Sequence, residues 1–303
     1  LFNNLQVFGF QALWSPYFFL IIAAITISYF VVINPLRSRF TDSEPVHTKT
    51  QVYFVVSMVL LYFFKGGPVD LLGHLMFSAH MTQMAIVYLA IPPLLILGIP
   101  SWLARAIINY KFVKPFFSFF SKPLIALLVF NGTFSLYHIP LVFDVVKTDA
   151  TLHGVVSFIL FVTAFFMWWP LMNQLPEHQS LSGVKRIGYI FADGVLLTPA
   201  CALIIFADTS LYATYTDPEA WVNALALCVP PSMLAAMGTI GPEMFNMLPP
   251  VEDQQLGGVI MKVIQEIVYG TVLGYIFFQW AKSERQKDEL ELTETITPTS
   301  PFR

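Results

Sequence analysis

Charge is what this chain most lacks. Only 12 % of its 303 residues are Asp, Glu, Lys or Arg, about half the share in a soluble domain. Cysteine is scarcer still: Cys201 and Cys228 are the only two, too few for a disulfide framework. The chain carries no phosphate-binding glycine loop, nucleophile elbow, paired-histidine metalloprotease motif or two-cysteine metal or haem motif, so the familiar soluble-enzyme chemistries have no sequence support. The net charge of −3 says nothing about nucleic acid, and no basic stripe interleaved with aromatics suggests it, so no nucleic-acid partner is expected. No cationic segment precedes an apolar one, so no cleavable signal peptide is expected.

Apolar residues take the vacant share. They make up 56 % of the chain, at a mean hydropathy of +0.67. The apolar runs are too long and too continuous for barrel strands, which alternate with period two. Helices are then the remaining way to satisfy a backbone in lipid. The expected fold is all-α, a polytopic membrane bundle of seven transmembrane helices forming one domain over 1–282. The spans fall near 16–35, 50–65, 70–98, 123–143, 151–172, 186–207 and 258–281. Trp168-Trp169-Pro170 reads as an aromatic belt closing the fifth. Residues 101–121 read as an interfacial amphipathic stretch, 222–238 as a re-entrant or surface-lying segment broken by Pro230-Pro231, and 283–303 as a disordered cytoplasmic tail.

Lysine and arginine orient the bundle. Thirteen of the sixteen lie in loops 36–49, 101–122 and 173–186 and in the tail, leaving Lys65, Lys147 and Lys262 on the other side. The basic side is cytoplasmic by the positive-inside rule. The N-terminus is therefore expected outside and the C-terminus inside. The long loop 208–257, with six acids and no lysine or arginine, is then an outer loop.

Four of the six histidines fall in that outer layer: His74 and His80 at the start of the third span, His138 closing the fourth, and His153 opening the fifth. On a continuous helix Met76, His80, Gln83 and Met84 would share one face, with His74 about 120° away from His80. Met76 and Met84 would be roughly 12 Å apart, too far to hold one ion together, whereas His80 and Met84 could share one. Met237, Met244 and Met247 in the outer loop and Met261 at the start of the seventh span add further thioethers. Imidazole with thioether is a soft-leaning donor set that selects cuprous copper over harder cations. Zinc more usually recruits cysteine or carboxylate as well. Asp253, Asp144 and Asp149 are outer-side candidates to orient a ligating imidazole. Asp193 and Glu266, inside the sixth and seventh spans, are expected to face the bundle interior, either lining a polar path or pairing with Asn131, Thr133, Gln265 or a tyrosine. For any one of these residues the plain alternative is packing: methionine filling gaps and histidine bonded to a neighbour.

GHLMFSAHMTQM followed by AIPPLLILGIP, then YHIPLVFD, LHGVVSF with WWPL, and DQQLGGVIM resemble the CtaG family. These are membrane assembly factors of caa3-type cytochrome c oxidase in Gram-positive and related bacteria. The resemblance covers about 10–282 and rests on the order of the motifs. It implies a bacterial plasma-membrane factor needed to build active oxidase, handling copper for the oxidase metal centres on the outer side without being a subunit of the finished enzyme. Carried over by motif, the positions of interest are His74, His80, His138, His153 and Asp253 with Met261. Many relatives read His-Met-x-Gln-His where this chain has His80-Met81-Thr82-Gln83-Met84. A thioether in place of that second imidazole would favour the cuprous state or empty the site.

The reading that follows is a copper-binding and transfer protein, not an enzyme. Its metal set is His80 and His153 with His74, His138, Met84, Met76 and Met261, supported by Asp253, Gln83 and Glu266. Its partners would be cytochrome c oxidase subunits and an extracytoplasmic copper donor, with a homo-oligomer left open. Two other classes compete: a haem-binding membrane oxidoreductase, since histidines on different spans can ligate haem axially, and a metal-free assembly scaffold. A permease fits less well, because the metal-capable residues crowd one side.

Overall fold

Proline sets where the helices begin. The computed structural model describes residues 5–237, 241–245 and 247–296. Within them a proline opens α2 (Pro16–Ile33), α4 (Pro68–Leu75), α9 (Pro123–Tyr137), α10 (Pro140–Thr148) and α13 (Pro218–Leu225). Its missing N–H costs nothing in a first turn, and its φ is already helical. The other elements are α1 (Gly9–Trp14), α3 (Thr48–Lys65), α5 (Phe77–Ala85), α6 (Ile91–Gly98), α7 (Ser101–Ile108), α8 (Val113–Phe120), α11 (Ala150–Met172), α12 (Gly183–Ile205), α14 (Pro231–Met237) and α15 (Pro250–Ile296).

Among the described residues, six helices or near-continuous helix pairs are long and apolar enough to cross a bilayer. They become seven if α8 and α9, bent by 83°, count as one span. The all-helical bundle expected from composition is thus what forms. Of the segment 222–238, residues 222–237 are divided between two short helices and the turn joining them and join no span, and 238 lies outside the described residues.

Several boundaries differ from expectation, among them the end of the fourth span at Tyr137 and the start of the seventh span's helix at Pro250, and three of the differences have a plain physical reason. The third span is not one helix: Met76 is extended (φ −135°, ψ 140°), so α4 completes the span begun by α3 and α5 starts anew. Between α5 and α6 the chain widens into a π turn over Ile86–Ala90. Pro92 lacks the N–H that Tyr88 O would accept, and the indole of Trp168 donates to that carbonyl instead, at 3.2 Å. Trp168 and Trp169 are accordingly buried in the core and form no interfacial belt. Finally, α15 continues as helix to Ile296. The charged stretch expected to lack structure from 283 is rich in Glu, Lys, Gln, Arg and Leu, all good helix formers, and is helical over 283–296. Residues 297–303 lie outside the described residues.

The main core is built where α5, the π turn and α6 pack among α9, α11, α12 and α15. A smaller cluster, including Leu5, Phe8, Leu71 and Trp221, closes the end of the bundle that carries the histidines.

Candidate metal centre

The break at Met76 makes the centre. It leaves the first N–H groups of α5 and the last carbonyls of α4 without helical partners, and members of both sets are satisfied from elsewhere. Asp253 on α15 accepts from Phe77 N at 2.8 Å and Ser78 N at 3.3 Å, and from the Ser78 hydroxyl. This is an N-cap supplied by another helix. The Gly73 carbonyl accepts from the Tyr215 hydroxyl at 2.7 Å and from Lys147 Nζ at 3.2 Å. Asp253 is thereby committed to the backbone and does not orient an imidazole. Asp144 and Asp149 are committed likewise: Asp144 accepts from the N–H groups of Ala213 and Thr214, and Asp149 caps α11 through Leu152 N.

His80 is buried on α5, its Nε2 3.4 Å from the Tyr137 hydroxyl and its ring edge-on to Phe143. His153 stands in the first turn of α11, its ring centroid 5.5 Å from that of His74 on α4. The Nδ1 atoms of His74, His80 and His153 are all buried without a hydrogen-bond partner, an arrangement that ordinary packing rarely leaves. His80 and His153 border one small cavity of about 10 Å³ together with Gln83, Met84, Tyr137 and Lys65. That is about one water's worth of space. Two imidazoles and one thioether from two different spans therefore border the same small space.

The other expected donors are placed elsewhere. Met76, turned away by its extended backbone, packs in the smaller cluster. Met261 is fully buried in the main core and is not on the cavity wall. His138 is bonded through Nδ1 to Phe134 O at 2.7 Å, with its Nε2 unpartnered, and it too is off the wall. Gln83 lines the cavity but donates to Asp70 Oδ1 and Phe64 O, both at 2.5 Å. Glu266 does not face the interior: it pairs with Lys262 at 3.0 Å, its side chain 65 % exposed. Asp193 does, accepting from Asn131 Nδ2 at 2.5 Å and from the Tyr269 hydroxyl. Cys228 donates to Leu225 O and packs against the smaller cluster. The side chains of Met237 and Met244 lie outside the described residues. Among the described residues, no three His, Cys, Asp or Glu side chains group so as to hold an ion by themselves.

Two lysines, to which the sequence pattern assigns no site role, dominate the electrostatics. Lys65 forms an ion pair with Asp70 at 3.3 Å. Lys147 is fully buried, and burial pushes its ammonium down to about 7, with the charge of Lys65 adding to the shift. The signal for Lys147 was available: on α10 it falls on the face of Phe143 and Val146, both buried. Tyr137, one residue before His138, carried no signal of its own.

No curated protein matches the chain, and no solved structure does. A family model described as cytochrome c oxidase caa3 assembly factor (Caa3_CtaG) matches residues 27–283. That range holds the broken turn at Met76, the Asp253 cap and all four histidines of the layer. By that match the chain belongs to the CtaG family of cytochrome c oxidase caa3 assembly factors.

Proposed function

We propose that this assembly factor binds cuprous copper between His80, His153 and Met84 and delivers it to the metal centres of the oxidase. The observation that carries the reading is the small cavity those three side chains border, with unpartnered Nδ1 atoms on both imidazoles. The donors fit the ion: two imidazoles and a thioether are the soft-leaning set that favours Cu(I). Lys65 on the cavity wall presses the same way, since what its pairing with Asp70 leaves of its repulsion is half as large for a monovalent as for a divalent cation. His74, beside His153, would take the ion during ligand exchange with a recipient docked at the acidic loop 208–257. The lysine and arginine count supports an outer position for this end of the bundle, with the N-terminus outside, and membership of the family supports a bacterial plasma membrane. The role is binding and transfer, without catalysis, and the partners are oxidase subunits and an extracytoplasmic donor.

A haem fits this place poorly, because a space of about 10 Å³ is far smaller than a macrocycle. Copper content of the detergent-purified protein, loaded under reductant, tests the proposal. His80→Ala and His153→Ala should each lower bound copper at least tenfold while the protein still inserts, and His138→Ala should not. Equal copper in parent and both variants would overturn it.

A further inference from the structure

A second polar feature lies away from the histidines. A groove of about 480 Å³ lies between α12 and α15, beside the exposed apolar side chains Phe191 and Val195. It runs along residues 187–198 of α12 and 262–273 of α15, about 16 Å on each helix. Its polarity is graded. At the end nearer the histidines stand Thr198, Lys262, Gln265 and Glu266, and at the other Ile187, Gly188, Gly270 and Leu273. Gly188 and Gly270 have open space where a side chain would be.

The polar end contains an unanswered donor. Gln265 is fully buried, and its Nε2 has no hydrogen-bond partner. Both Gln265 and Gly194 line the groove, and the missing side chain of Gly194 leaves room beside that nitrogen: a Cβ there would lie 3.4 Å from it. A buried amide left unpaired costs about 1–3 kcal/mol, so it calls for an acceptor. The charges nearby are already balanced, Lys262 against Glu266, with Lys262 Nζ also donating to Thr198 Oγ1 at 3.3 Å. The missing acceptor is therefore uncharged. We propose that the groove binds a membrane quinone, a neutral ring with carbonyl acceptors on an isoprenoid chain, its ring at Gln265 and its chain along Gly188 and Gly270. Depth separates this from a phospholipid. Thr198 is fifteen residues from the start of α12 and seven from its end, so the polar end lies about 10 Å inside the helix terminus. Ester carbonyls stay at the bilayer boundary, whereas a quinone ring enters the hydrocarbon. The one-ended polarity likewise suits an amphiphile better than a partner helix.

Native mass spectrometry of the detergent-purified full chain, incubated with menaquinone-4 or ubiquinone-1, tests the site. A quinone-mass adduct is expected, at least tenfold weaker in Gln265→Leu and in Gly270→Leu and unchanged in Glu177→Gln. Neither groove variant should disturb the fold: the first removes an unpaired donor together with one long 3.5 Å bond accepted from Lys262, and the second fills empty space, so either alone suffices if the other expresses poorly. No quinone adduct, an adduct indifferent to both substitutions, a phospholipid mass lost on substitution, or a dimer that Gly270→Leu dissociates would each overturn the proposal.

Discussion

Asp253 is the side chain on which the placement of His80 most depends. Its carboxylate holds the N–H groups of Phe77 and Ser78, three and two residues ahead of the imidazole. Asp253→Ala would leave them buried and uncapped, at a cost of about 2 kcal/mol, seen as a lower thermal midpoint in detergent. Asp253→Asn keeps one acceptor and should recover most of the loss, with copper per folded molecule unchanged. A loss of copper in Asp253→Asn without loss of stability would instead make the carboxylate a partner of the metal site. Lys147 gives a pH signature. Its pKa is about 7 in the folded protein against 10.5 ordinarily, so between those values the unfolded chain holds the extra proton. Stability attributable to Lys147 therefore rises with pH across that window. The thermal midpoint of the parent should climb by about 2–4 °C from pH 7.5 to 9.5 relative to Lys147→Met, and parallel curves would count against it. Glu177 is the opposite case. Its hydrogen bond to Arg105, at 2.6 Å, holds the carboxyl down to about 2, yet the pair is largely exposed and exposed pairs contribute little.

At the scale of elements, the bundle depends on close approaches that only glycine permits. At Gly98, the end of α6, a Cβ would sit 2.6 Å from the backbone nitrogen of Phe54 on α3. The Gly98 carbonyl there accepts from the Tyr29 hydroxyl at 2.9 Å, and Tyr29 stacks on Phe54 at 3.7 Å. Three helices thus meet at one residue. Gly98→Ala must push α3 and α6 apart and should cost about 1–3 kcal/mol, whereas Gly132→Ala, with nothing within 4 Å, should be neutral. Equal midpoints for the two variants would remove the argument. The π turn is the second such device: a proline pair frees a carbonyl, and the Trp168 indole takes it up.

For the whole molecule, the side of the membrane is the property most open to a direct check. A cysteine at Gln286→Cys on α15 should react with a membrane-impermeant maleimide only after permeabilisation, and one at Glu219→Cys on α13 should react on intact cells. The reverse pattern would invert the bundle and place the histidine end toward the cytosol. Much was legible in the order of residues alone. Helix as the only regular element among the described residues, most span boundaries and the family all follow from apolar run length, proline placement and motif order, which are local properties of the chain. The nearness of His80 and His153 was suggested by shared depth. Their meeting at one cavity with Met84 did not follow from depth, because depth says nothing of the direction in which each helix face turns.

What stayed hidden has one cause. A helical wheel assumes that the helix continues, and at Met76 it does not, because a carboxylate 177 residues further along the chain makes stopping there favourable. That break turned Met76 away from the face it would otherwise share with His80. The buried place of Lys147 and the outward turn of Glu266 were hidden for a related reason, since each depends on which helix packs alongside. Composition and order of residues determined a helical membrane protein of this family. Contacts between residues far apart in the chain decided which donors face one another, because backbone groups orphaned on one helix can be satisfied only by whatever folding brings beside them.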